Sequence, residues 1–163
     1  MLPVLESIVR FLSRDLSGNT WVCERSHPYF GKMTFFGFKK EPSKSYWEAE
    51  VSLPNSDLRI GVTMAGTPIG PTTEEERFFS DTVSDLDSLF EKCRPVFEPT
   101  FVSWVKKPSP PSWREAFKLD GFSIPEKGNP VKPWEVTYYV EPAGHFFTAV
   151  FENGVAIRTD VDG

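Results

Sequence analysis

Between residues 47 and 64 the chain alternates apolar and polar positions with period two. Trp47, Ala49, Val51 and Leu53 are interleaved with Glu48, Glu50 and Ser52, and after Pro54-Asn55-Ser56-Asp57 the alternation resumes at Leu58, Ile60, Val62 and Met64. A break of turn-forming residues between two such runs predicts an antiparallel hairpin with one face on a core. Thr20–Glu24 and Lys32–Lys39 read as two more strands, the second rich in Phe, with Gly37 marking a bulge or a close backbone approach. Three strands close the chain at Trp134–Glu141, His145–Glu152 and Val155–Val161. Asn153-Gly154 joins the last two, a pair suited to the positive φ that both central residues of a type I′ turn require.

The period lengthens elsewhere. Leu5, Ile8, Val9 and Leu12 recur at helical spacing, with Pro3 in the first turn and Gly18 beyond the end. Residues 65–71 are rich in breakers, and Thr72 with Glu75 then forms a capping box. Phe79, Val83, Leu86, Phe90 and Cys93 follow at steps of 4, 3, 4 and 3, predicting one helix that stops at Pro95. A second helix is expected from about Val96 to Lys107, with Phe97, Phe101, Trp104 and Val105 inward. Ser112 with Glu115 offers a further cap for a turn or two, and 121–133 is a glycine- and proline-rich stretch with at most a short strand near Phe122.

These elements predict a single α+β domain over residues 1–163. Two β segments, about 20–64 and 134–161, join in one antiparallel sheet, with a helical middle at about 72–117 and the N-terminal helix packed on it. Fifteen Phe, five Trp and four Tyr give the chain the apolar area for a core without a metal or disulfide staple. Cys23 and Cys93 stand 70 positions apart with no metal-type neighbour, so two reduced thiols are expected. A leader-like start and a long apolar run are both missing from the sequence, which points to the cytoplasm and away from a membrane.

Charge changes the picture at one place. Between Thr72 and Glu91 seven acids (Glu74, Glu75, Glu76, Asp81, Asp85, Asp87 and Glu91) face one base, Arg77, in a chain of net charge −5. So acidic a helix either docks a basic protein partner or is a solvated face whose first-turn acids complement the helix dipole. The overall balance argues against nucleic acid. Catalytic signatures are lacking: there is no phosphate loop, dinucleotide fingerprint or serine elbow, and no spacing of ligands that calls for a cofactor or metal. His145, with Trp134 and Tyr139, marks the alternative of a small-molecule enzyme at the sheet rim. Cys93 with His145 is a conceivable nucleophile pair. Asp160 and Asp162 are either cation ligands or edge charges that discourage aggregation.

Phe30-Gly31-Lys32-Met33, Tyr46-Trp47-Glu48-Ala49, Trp113, Tyr138-Tyr139, Gly144-His145, Asn153-Gly154 and Asp162-Gly163 together resemble a layout found in small bacterial single-domain proteins of unknown function. Some of those look like immunity proteins encoded beside polymorphic toxins. The resemblance implies a non-catalytic, inhibitor-like role and brings no catalytic residue. A structural or oligomerising domain is the third reading of the sequence.

Overall fold

The computed structural model describes residues 18–163. Among them, eight strands form one sheet in chain order. These are β1 (Thr20–His27), β2 (Gly31–Phe38), β3 (Tyr46–Ser52), β4 (Arg59–Ala65), β5 (Phe117–Ile124), β6 (Trp134–Val140), β7 (His145–Glu152) and β8 (Val155–Asp162). Helices α1 (Thr73–Val83) and α2 (Leu86–Val105) both lie between β4 and β5.

Neighbouring strands are antiparallel except at the centre, where β4 and β5 run parallel with Gly61 opposite Gly121 and Met64 opposite Ile124. Parallel neighbours cannot be joined by a tight turn and need a long crossover. The two helices are that crossover. The wholly antiparallel α+β sheet with a helical middle expected from the sequence is therefore wrong: the sheet is mixed, and its fifth strand begins where the stretch read as helical ends. The short strand expected near Phe122 is in fact eight residues long. The helix expected around Leu5–Leu12 lies outside the described residues.

The hairpins follow their sequence signals. Trp47 pairs with Met64, Ala49 with Val62 and Val51 with Ile60, around a turn in which Asn55 takes positive φ. Asn153 and Gly154 both adopt positive φ between β7 and β8, as a type I′ turn demands. Gly37 faces Trp21 across β1 and β2, and a Cβ there would overlap the indole. The glycine is a close approach rather than a bulge.

The helices depart from expectation in two ways. The capping box forms as read, Thr72 and Glu75 each accepting a backbone N–H of the other. The predicted single helix nevertheless breaks at Ser84–Asp85, where Asp85 leaves helical φ/ψ and caps α2 through Ser88. Pro95 does not end a helix; α2 runs through both Pro95 and Pro99. Both prolines are exposed, so water reaches the side of the helix where their missing N–H groups free carbonyls. The cap expected at Ser112 makes no side-chain hydrogen bond, and Trp113–Glu115 is a single 3-10 turn.

The core lies between the helices and one face of the sheet. Phe79, Val83, Phe90, Cys93, Phe97 and Phe101 are buried against Phe35, Trp47, Val62, Phe122, Tyr138 and Phe147. Tilted and edge-to-face aromatic contacts tie the layers: Phe79 meets Phe30 at 5.9 Å and Phe122 at 5.2 Å, bridging the two halves of the sheet. On the opposite face a polar row runs in register from Thr34 through Glu48, Thr63 and Ser123 to Glu135.

Candidate functional site

An open cleft of about 880 Å³ lies where α1 gives way to α2. Its position follows from the chain's breaks: the β3–β4 turn at Asn55–Ser56, the interruption at Ser84–Asp85 and the 3-10 turn at Trp113 leave a gap that no regular element fills. Leu58, Leu86, Phe117 and Leu119 supply apolar lining, and Asp85, Asp87, Arg114, Lys118 and Glu141 supply charges of both signs.

One wall is tightly built. Asp87 accepts a hydrogen bond from Trp113 Nε1 at 2.7 Å and another from the Arg114 guanidinium. Arg114 in turn lies over the Trp113 ring at 4.2 Å, and that ring stacks on Phe90 at 5.0 Å. The bond from Trp113, then that from Arg114, holds the Asp87 carboxyl below its ordinary range. Ser88, through its backbone and then its hydroxyl, does the same for Asp85. Neither Trp113 nor Arg114 stands out in the sequence as a site residue, because each lies more than 25 positions from the aspartate it holds.

The seven acids do not form one continuous face. Glu75 is inward, 4% exposed, with one oxygen accepting from Thr72 N and the other from Lys127 N. Asp85 is a cap, Asp87 is held by Trp113 and Arg114, and Glu91 pairs with Arg94 at 2.7 Å. Glu74 and Asp81 are exposed and Glu76 is half-buried on α1. Glu74 and Asp81 are seven apart, so they share a side of the helix.

The alternative trio is not brought together. Trp134 and His145 occupy opposite ends of the β6–β7 pair, Trp134 opposite Phe151 and His145 opposite Val140. At strand rise that separation is about 20 Å. Tyr139 points to the other face, where it meets Phe146 at 5.2 Å and reaches the cleft rim. His145 packs edge-on against Trp104 at 4.5 Å and against Gly163. His27 Nδ1 accepts the backbone N–H groups of Tyr29 and Phe30 and shapes the β1–β2 turn. Both cysteines are unpaired, and burial pushes the Cys93 thiol up, away from the thiolate a nucleophile needs.

The arrangement can hold a partner's polar groups against fixed charges over an apolar floor. Among the described residues, no group of three His, Cys, Asp or Glu side chains is placed to hold a metal ion, and no helix is long and apolar enough to cross a membrane. No family model matches this chain, and neither does any curated protein or any solved structure.

Proposed function

We propose that this is a protein-binding domain, of the immunity-inhibitor kind, that docks a basic partner on α1 and the adjoining cleft. Glu74 and Asp81 provide the attraction, and the lip of the cleft at Asp85–Asp87 provides shape. The observation that carries the reading is the division of labour among the acids. Four of the seven are tied to the protein's own groups, whereas Glu74 and Asp81 stand exposed on the same side of α1, the helix whose C-terminal end at Val83–Asp85 lines the cleft. Charges placed in this way speed and select encounter more than they add affinity, and their effect falls with salt. A cytoplasmic setting, with no role for nucleic acid, belongs to the same proposal.

The test is affinity capture from the native host at low and at physiological salt, followed by titration of the purified partner. A basic protein is expected, with binding weakened about tenfold in the double variant Glu74→Gln, Asp81→Asn. Recovery of no basic partner at either salt, or equal affinity for wild type and variant, sinks the reading.

A further inference from the structure

We propose that β8 is the contact edge of a homodimer, pairing antiparallel with β8 of a second copy about Thr159 so that the two sheets continue as one. Among the described residues the sheet ends at β8, so the outer side of this eight-residue strand has no strand neighbour. Val155 and Ile157 on it are 60% and 45% exposed, large apolar side chains on an open edge. The edge is also braced: Thr159 Oγ1 donates to the Val96 carbonyl of α2 at 2.7 Å, holding the strand in place for a partner.

Charge selects the occupant and the register. Residues opposite each other in an antiparallel pair share a face, so β8 can meet its own copy only in registers that step by two. Centred on Arg158, the pairing sets Arg158 against itself. Centred on Asp160, it sets Asp160 against itself. Centred on Thr159, it sets Arg158 against Asp160 of the other copy twice. Like charges directly opposite are destabilising and unlike ones stabilising, so the middle register wins. Arg158 and Asp160 already pair within the chain at 3.0 Å, and the dimer would turn two such pairs into a four-charge cluster of alternating sign. Edge charges commonly block pairing with any strand. Here, of the three registers centred on Arg158, Thr159 and Asp160, they disfavour two and favour the self-complementary one. The bulge of β8 falls at Ile157, since Val150 pairs with Arg158 and Phe151 with Ala156, so the Arg158–Asp160 segment that carries both charge pairs stays in regular register.

This surface is separate from α1, so the proposal stands or falls independently of the acidic docking face. The experiment is sedimentation or light scattering across concentration on the full chain and on Arg158→Asp and Asp160→Arg, with circular dichroism to establish that each variant folds. Wild type is expected at twice the 18.5 kDa chain mass. Each single variant faces like charge in the self-pair and should dimerise at least about tenfold more weakly. An equimolar mixture of the two restores both opposite-charge pairs and should recover the dimer. A monomeric wild type overturns the proposal, as does a dimer indifferent to both substitutions. A mixture that stays dissociated overturns the register and the proposal with it.

Discussion

Glu75 shows how a charge that looks like surface on the page becomes part of the frame. It sits in a run of three glutamates, yet it alone is buried, accepting from Thr72 N within its helix and from Lys127 N across the fold. Removing it strands two backbone donors. Glu75→Ala should cost about 1–3 kcal/mol in urea unfolding, and Glu75→Gln, which keeps an acceptor, should cost less. An unchanged midpoint for the alanine variant would contradict this. Glu135 has the opposite character. It is exposed on the polar sheet face, yet loss of solvent around the carboxyl first, then Asp160, raises it above the usual range. A raised carboxyl pKa penalises the charged form in the fold, so the penalty is present above the folded value and vanishes below the unfolded one, near ~4.3. Glu135→Gln should therefore raise the unfolding midpoint at neutral pH, by less than about 1 kcal/mol after solvent screening. The gain should disappear below about pH 4. A gain that persists in acid would point to packing instead.

At the scale of elements, legibility depended on whether a periodic signal survived to the end of its strand or helix. The β3–β4 hairpin and the Asn153-Gly154 turn kept theirs, and both are where the alternation places them. In β5 the signal is split. Phe117 and Leu119 face the core on one phase, and after the register shift between Leu119 and Gly121 Phe122 and Ile124 do so on the other. A strict period-two reading meets Asp120-Gly121 and sees a loop. The break between α1 and α2 is hidden for the converse reason: Phe79, Val83, Leu86 and Phe90 keep helical spacing across it, so the stripe is continuous while the backbone is not. Pro95 misled because its cost depends on whether the freed carbonyl meets water, which the sequence does not record. Of the proposed site, the acids were visible. The Trp113–Arg114 clamp on Asp87 was not, since it is assembled only when the crossover closes.

At the scale of the whole molecule, the parallel seam between β4 and β5 divides the sheet into two four-stranded meanders, each built from near neighbours in sequence. Local pairing is quick to form, whereas the seam must wait for the crossover to close. Ile69, at 85% exposure in the link between β4 and α1, marks where the covalent connection matters least. A chain severed there should reassemble: pieces 1–69 and 70–163, produced together with a tag on one, are expected to co-purify in equal amounts, held by the seam and by Phe79 reaching Phe30 and Phe122. Recovery of the tagged piece alone would show that the halves depend on the link. Success would make the seam a ready-made complementation pair, able to report when two other proteins fused to its halves come within reach of each other.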